Sequence, residues 1–492
     1  MLKNNSNKFE YRQYNFSVLR YLNNNLGLLL SFLSSCVVIV MIFCPTYTPY
    51  EYLLLLPLSF AFGSLFLGML IKKCNFVNSI VLTGYFVKMV VTPALFSLGG
   101  YYSFYNSENI KHYILPAILY MAYEFLIITF LCILYLYIKQ QTTYITPIRH
   151  KNYKNLRFNI TILLICGIMV SSLVFVPEII QIHEFLFTVK LEDLAKIYWD
   201  NETIVSRGSG KRYLYSLFLF FWPIIRNLLP AYFILIINQK FGDSSLGLLF
   251  SALCLLIPSI FLGGDNIGPL IGAIFGLIII KRLYGVKANI LVYLLAIATM
   301  ILIFFIFITK VNILGAWLGG ENMISIIANS LNAYFQSFDS ISSAMGVESG
   351  NKAMTFFYDI YSCIPFRETL FGLHGLALSD LYTSYIGISG QIVPFSSNIA
   401  FYSTYLLSPL IIVLLIIFAL RCETISQTTD NFWIFYLSMY FAVSTAMAIS
   451  IYSFVIYIRS LINIYLPMLF IIYISGLNKC ATQRAKLHRH IN

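Results

Sequence analysis

The sequence carries very little charge for its length. Only 11% of its 492 residues are Asp, Glu, Lys or Arg, whereas 59% are hydrophobic. An average soluble domain is about 25% charged and roughly 45–50% apolar. A water-soluble enzyme and a disordered chain are both excluded, because neither could hide so much apolar surface. The class that remains is a polytopic membrane protein.

Several site motifs are also missing. The nine cysteines form no C-x-x-C pair, so no disulfide framework and no zinc site is expected. There is no D-x-D pair, H-E-x-x-H, G-x-S-x-G or dinucleotide-binding fingerprint. The formal net charge is +12, but the basic residues form short clusters between apolar runs. That distribution indicates membrane topology rather than a nucleic-acid partner.

Apolar runs of membrane-spanning length recur along the chain. About 20 consecutive apolar residues cross the hydrocarbon core as a helix. The pattern predicts an all-α polytopic integral membrane protein with about twelve transmembrane helices, within a range of roughly 10–13. Two of the predicted runs, 246–262 and 267–280, are short, and they form either two spans or one re-entrant hairpin. The predicted spans are 27–44, 52–71, 76–98, 113–138, 158–177, 213–237, 246–262, 267–280, 288–309, 399–420, 432–451 and 456–475.

The distribution of positive charge predicts the orientation. With a cytoplasmic N-terminus, 20 of the 32 Lys and Arg residues lie in inside segments and 9 lie in outside segments. Cytoplasmic loops are enriched in Lys and Arg, so both termini are predicted to be cytoplasmic. The predicted organisation is a cytoplasmic segment 1–25, a membrane domain 26–309 with an external loop 178–212, a large external loop 310–398, a second membrane domain 399–476 and a basic cytoplasmic tail 477–492.

The large external loop contains an amphipathic pattern. Apolar residues recur at three- and four-residue steps from Ile324 to Met345, which predicts one face of an α-helix. Two interpretations stay open: a helix that lies on the bilayer surface, and a lid whose amide and hydroxyl face touches sugar. The polar face of this helix consists of Ser325, Asn329, Asn332, Gln336, Asp339, Ser340 and Ser343.

Charged residues inside spans are costly and need a partner or a function. Lys88 and Glu124 lie at matching depth in consecutive antiparallel spans, which predicts a structural ion pair. Arg226 lies between Pro223 and Pro230, each of which removes one backbone hydrogen bond. This arrangement favours a polar cavity open to the external face. Glu124 is an alternative partner for Arg226 if Lys88 does not take it.

A basic string precedes the span that contains Arg226. Arg207, Lys211 and Arg212 flank flexible glycines at a helix N-terminus, a setting that suits phosphate. The alternative is simple contact with lipid headgroups. Arg459, near the external end of the last span, either extends to the headgroups or completes a cationic cavity.

The large loop also holds candidates for acid–base chemistry. Arg367, Glu368 and His374 lie within eight residues of one another. A histidine can act as general base on a sugar hydroxyl. The competing interpretation is an ordinary loop histidine, and Glu368 is the other candidate base.

The architecture resembles the bacterial O-antigen and capsular polysaccharide polymerases of the Wzy type. The resemblance rests on about a dozen spans, an arginine-rich external loop that leads into a span, and one large external loop late in the chain. Local strings also match, namely Ser206-Arg207-Gly208 ahead of a proline-containing span and the segment 388–394 ahead of the next span.

The resemblance implies a glycosyltransferase in the bacterial inner membrane that joins repeat units linked to undecaprenyl pyrophosphate. An acceptor hydroxyl attacks the anomeric carbon and lipid pyrophosphate leaves, without a metal ion or other cofactor. Fixed cations then neutralise the developing negative charge. A chain-length-regulating membrane protein is a possible partner. The implied cations are Arg207, Lys211, Arg212, Arg226 and Arg367.

Other functions share parts of this pattern. A lipid-linked oligosaccharide flippase also needs cations in a membrane cavity, but it predicts short, even loops and two similar halves. An O-antigen ligase uses the same donor and differs only in its acceptor. An ion-coupled transporter using Lys88, Glu124 and Arg226 needs broken helices near mid-membrane.

Overall fold

A computed structural model shows an all-helical membrane protein, and it contains no β-strand in the residues it describes. The described residues are 25–48, 50–70, 76–103, 111–138, 148, 156–182, 209–242, 244–259, 267–285, 322–365, 376–387 and 392–475. Within them, eight helices are long and apolar enough to cross a membrane. These eight are Tyr50–Leu70, Phe76–Leu98, Ile114–Ile138, Leu156–Phe175, Tyr213–Phe241, Ser408–Thr428, Phe432–Ile451 and Phe454–Ile474.

The predicted all-α polytopic fold class is confirmed. The predicted span 288–309 lies outside the described residues.

We number the helices α1 (Leu26–Ile42), α2 (Leu55–Leu70), α3 (Phe76–Leu98), α4 (Ile114–Ile138), α5 (Leu156–Phe175), α6 (Ser209–Phe241), α7 (Ser245–Leu253), α8 (Ile267–Tyr284), α9 (Met323–Phe335), α10 (Phe338–Met345), α11 (Lys352–Ser362), α12 (Leu378–Ile386), α13 (Phe395–Tyr402), α14 (Ser408–Thr428), α15 (Phe432–Ile451) and α16 (Phe454–Ile474).

Two predicted helices have different boundaries in the structure. The predicted span 399–420 is divided into α13 and α14, because the backbone leaves the helical region at Ser403. Pro409 occupies the first turn of α14, where its missing N–H costs nothing. The amphipathic helix predicted from Ile324 to Met345 is also divided, into α9 and α10, by a left-handed residue at Gln336.

The first two helices pack through small residues. A side-chain carbon added at Gly27 would lie 2.9 Å from Gly68 Cα, so the two backbones are in near contact. Ser31 donates to the Ala61 carbonyl oxygen at 2.8 Å and Ser34 donates to the Pro57 carbonyl oxygen at 2.7 Å. Small residues and interhelical hydrogen bonds are the usual means of association for helices that lipid surrounds.

The start of α3 marks one end of the helical bundle. The Glu423 carboxylate of α14 accepts the backbone N–H groups of Phe76 at 2.8 Å and Val77 at 3.0 Å. Helix N-termini leave such groups without intrahelical partners and favour negative charge. We call this the Glu423 end, and the opposite end, where α3 is followed by Ser103, the Ser103 end. The charge bias predicts that the Ser103 end is external.

Two apolar clusters form the core. One joins α1 to α4 with α14, and the other joins α5 to α8 with α15 and α16. Helix α15 approaches both clusters. Gly84 of α3 packs directly against Ser450 of α15, and Tyr436 donates to the Asn227 carbonyl oxygen of α6 at 2.9 Å. The two apolar clusters are therefore connected through α15.

Candidate functional site

Helices α9 and α10 form a hairpin that enters the bundle beside α3. At the Ser103 end, Asn329 Nδ2 donates to the Tyr102 carbonyl oxygen at 2.9 Å. At the tip of the hairpin, Ser337 Oγ donates to the Lys88 carbonyl oxygen at 2.6 Å. Lys88 is close to the midpoint of α3. The hairpin, which the sequence places in the large external loop, therefore reaches halfway along a membrane span.

The tip of the hairpin is fixed by Gln336. Its backbone adopts φ 56° and ψ 54°, a left-handed conformation that non-glycine residues adopt at a cost in free energy. The side chain offsets this cost with two hydrogen bonds. Nε2 donates to the Ile451 carbonyl oxygen at 3.2 Å, and Oε1 accepts the Phe395 N–H at 2.9 Å. One amide thus holds the hairpin to the end of α15 and the start of α13.

The polar face of the hairpin points into the bundle. This is the reverse of a helix that lies on the bilayer with its polar face in water, so the surface-helix interpretation is wrong. On the apolar side, Ile324 at the start of α9 is exposed, whereas Phe338 and Ile341 of α10 are buried. The buried polar face comprises Ser325, Asn329, Asn332, Gln336, Asp339, Ser340 and Ser343.

The structure brings Lys88 and Glu124 together under this hairpin. Lys88 Nζ lies 3.8 Å from Glu124 Oε1, and both side chains are at most 5% exposed. Tyr85 donates a hydrogen bond to the same Glu124 oxygen. Tyr120 of α4, whose hydroxyl lies 2.6 Å from Ser408 Oγ, borders the pair. The other carboxylate oxygen, Oε2, has no hydrogen-bond partner.

Lys88 also lies in a short π-helical turn, Val87–Val91. Such turns occur mostly as single-turn bulges and are frequent at functional sites. Pro93 explains the turn, since proline lacks the N–H that would continue the α-helical ladder. Thr92 donates both its backbone N–H and its Oγ1 hydroxyl to the Val87 carbonyl oxygen, the hydroxyl at 2.9 Å.

Asp339 is the acid within the buried polar face. Ser103 donates a hydrogen bond to its Oδ2, whereas Oδ1 has no partner. No Lys or Arg among the described residues forms an ion pair with it. Burial raises the pKa of Asp339 from 3.8 to about 7, although the hydrogen bond from Ser103 acts in the opposite direction. A carboxyl of this kind exchanges a proton near neutral pH.

Other polar groups of the hairpin also have unused hydrogen-bonding capacity. Both side-chain polar atoms of Asn332 and the Ser330 hydroxyl have no partner, although both residues are buried. Buried polar groups in proteins almost always have partners. Each unsatisfied group costs about 1–3 kcal/mol. The hairpin therefore carries buried amide and hydroxyl groups whose hydrogen-bonding capacity no protein group uses.

A second acid, Asp359, lies where α11, α12 and α13 meet. Its Oδ2 accepts from Tyr402 OH at 2.6 Å and its Oδ1 accepts the Leu378 N–H at 2.9 Å. Burial raises the pKa of Asp359, while these hydrogen bonds and the positive charge of Arg459 oppose the rise. Both oxygens are engaged, so this carboxylate holds the loop helices together.

Arg226 is buried in α6, with 6% of its surface exposed. The adjacent Asn227 donates its Nδ2 to the Pro223 carbonyl oxygen at 2.7 Å. Arg226 belongs to the part of the molecule around α5 to α8, whereas Glu124 belongs to the cluster around α1 to α4. The structure therefore pairs Glu124 with Lys88 and not with Arg226.

The other predicted site residues are dispersed. Lys211 is exposed and bonds to Glu178 Oε1 at 2.6 Å, and the Arg459 guanidinium lies 3.4 Å from Ser362 Oγ. Arg212 belongs to α6, but its side chain lies outside the described part of the chain. Arg207, Arg367, Glu368 and His374 also lie outside it.

Sequence reasoning missed Asp339 as a candidate acid or base. It treated the polar face of the amphipathic helix as a uniform row of hydrogen-bonding residues. The available signal was the single acid on an otherwise uncharged face.

Comparison of the chain with protein-family models, with curated proteins and with solved structures finds no match.

Proposed function

We propose that this protein is a polymerase that joins undecaprenyl-pyrophosphate-linked oligosaccharide units into O-antigen or capsular polysaccharide at the external face of the bacterial inner membrane. The observation that carries the proposal is the α9–α10 hairpin, whose amide and hydroxyl face lies inside a membrane bundle. Asn332 alone offers two donor hydrogens and a carbonyl oxygen that no protein group uses. Sugar hydroxyls are both donors and acceptors, so they match this surface.

The position of the hairpin also supports a lipid-linked substrate. Asn329 of α9 lies at the Ser103 end of α3, which the charge bias predicts to be external. The tip of the hairpin lies halfway along α3, at the depth of the membrane. A glycan carried on a membrane lipid would bring its sugar to the external face and its lipid to this depth.

The proposed chemistry is glycosyl transfer with lipid pyrophosphate as leaving group. The acceptor hydroxyl attacks the anomeric carbon of the donor, and the pyrophosphate departs with the bonding electrons. Fixed cations are needed to stabilise the charge that develops on the pyrophosphate. We assign this task to Arg226, supported by the other basic residues of the external segments. These are Arg207, Lys211, Arg212, Arg367 and Arg459.

The first test is a gel of surface and lipid-linked glycan from cells that lack only this gene. We expect the ladder of chain lengths to collapse to a single repeat unit on its usual surface acceptor. Loss of all surface glycan, with single units trapped at the cytoplasmic face, would instead identify a flippase. Long chains left on the lipid would identify a ligase.

Arg226→Ala tests the assigned cation in the same strain. We expect it to restore no polymer while accumulating in the membrane near the wild-type level. Arg226→Lys is the matched control, since it keeps the charge and loses the planar guanidinium. Full polymerisation by Arg226→Ala would remove this arginine from the site.

A further inference from the structure

Asp339 differs from the other carboxylates that the structure describes. Among them it alone is buried, lacks an ion pair and keeps one oxygen without a hydrogen-bond partner. Glu124 also has a free oxygen, but Lys88 neutralises it. Both oxygens of Asp359 accept hydrogen bonds. A buried acid with an unused oxygen destabilises the fold, so its presence calls for a function.

Asp339 is also close to the surface that the charge bias places outside. Its one hydrogen-bond donor, Ser103, is only partly buried, and the neighbouring Tyr102 is exposed. The Ser103 hydroxyl therefore lies between the carboxylate and a partly exposed part of the surface. The same carboxylate lies on the hairpin face that carries the unpartnered Asn332 amide. The acid thus lies between a partly exposed hydroxyl and an unpartnered buried amide.

We propose that Asp339 is the general base that accepts the proton of the acceptor sugar hydroxyl, a role that rests on the function proposed above. The acceptor oxygen forms a bond to the anomeric carbon of the donor. The bond from that carbon to the pyrophosphate oxygen breaks, and its electron pair leaves with the pyrophosphate. The proton passes to Oδ1 of Asp339 and is released to external solvent beside Ser103.

The pKa of Asp339 and the groups around it suit the role of a general base. A general base works best when its pKa lies near the working pH, and burial raises the pKa of Asp339 to about 7. The ionised fraction, and with it the rate, should rise as the pH increases from 6 to 8. Tyr50 also faces Asp339. The elements around α10 also carry other titratable or charged groups. These include Tyr101, Lys88, Glu124, Tyr120, Asp380, Tyr382, Tyr385 and Tyr402.

Asp339→Asn tests the role directly, because it keeps the shape and removes the basic oxygen. We expect polymerisation by the purified full-length protein to fall by at least about 100-fold, the range for loss of a general base. The remaining activity should lose its dependence on pH between 6 and 8. Asp339→Glu should retain part of the activity with a displaced pH profile. Asp380→Asn, the same change on an exposed loop acid that caps α12, is the matched control and should stay within about twofold of wild type.

A second measurement is independent of activity and of folding yield. Infrared difference spectra of the full-length protein should show a protonated carboxyl band that disappears near pH 7. This band should be absent from Asp339→Asn and present in Asp380→Asn. Elution as a monodisperse peak with an unchanged thermal midpoint would show that Asp339→Asn is folded.

The outcomes separate this assignment from the proposed function. If the deletion strain makes chains of normal length, the polymerase function is wrong and the assignment falls with it. If the deletion abolishes polymer but Asp339→Asn restores it fully, the assignment alone is overturned. A wild-type spectrum without a carboxyl band that titrates near neutral pH would also overturn it.

Discussion

The two ends of the bundle use buried carboxylates in opposite ways. At the Glu423 end, both oxygens of Glu423 accept backbone N–H groups from the start of α3, and Gln427 adds a third donor at 3.3 Å. At the Ser103 end, Asp339 receives one hydroxyl and keeps one oxygen free. Both side chains are at most 2% exposed, so burial does not account for the difference.

The difference separates structural acids from acids that are available for chemistry. A fully bonded carboxylate joins two helices rigidly and has no lone pair left for a substrate. A carboxylate with a free oxygen costs free energy in the folded state and can accept a proton there. Glu124 is intermediate, because Lys88 and Tyr85 share one of its oxygens while the other is free.

The intermediate case gives the largest expected effect on stability. Lys88→Met or Glu124→Leu alone should destabilise the protein by about 3–5 kcal/mol, because each strands a buried charge. The double variant should be better tolerated than either single change. The measurement is the midpoint of thermal unfolding of the purified protein in detergent. A double variant no more stable than the singles would show that the two residues do not act as a pair.

Removal of the fully bonded carboxylate should have the next largest effect. Glu423→Ala leaves the N–H groups of Phe76 and Val77 without an acceptor, which should cost about 2–4 kcal/mol. Glu423→Gln keeps one acceptor oxygen and should lie between alanine and wild type. Polymerisation per folded molecule should not change in either variant. Lost polymerisation at an unchanged unfolding midpoint would assign Glu423 to the chemistry and undo the comparison.

The exposed ion pair of Lys211 and Glu178 should have the smallest effect. Lys211 holds the pKa of Glu178 below its ordinary value of 4.5. Any contribution to stability is therefore present above pH 4.5 and is lost as the pH falls through the lowered pKa. Lys211→Ala should leave the unfolding midpoint at neutral pH unchanged. Its effect should appear instead as weaker use of the lipid-linked donor, measured as product formed at limiting donor concentration.

Most of the membrane spans were predictable from the sequence. Uninterrupted apolar runs produce a helix wherever they occur, so the predicted ranges 76–98 and 432–451 coincide with α3 and α15. The span at 399–420 was misplaced because apolar residues continue across Ser403, where the chain turns. Hydropathy records which residues avoid water, but it does not record where the backbone leaves the helix.

The site was less predictable, for a physical reason. Lys88 and Glu124 could be paired from sequence because both lie the same distance from a shared turn. The inward direction of the hairpin could not, because it depends on bonds from Gln336 to Ile451 and Phe395, which are distant in sequence. Helical periodicity identifies the two faces of such a helix, and tertiary contacts decide which of them is buried.

The most direct test of the proposed function uses purified protein in detergent and the lipid-linked units that accumulate in the deletion strain. Detergent removes the barrier between two membrane faces, so a flippase can produce no change under these conditions. We predict that the wild-type protein converts single units into a ladder of longer chains and releases lipid pyrophosphate. Units that remain single, with protein that is folded and monodisperse, would contradict the proposal that this chain is a polymerase.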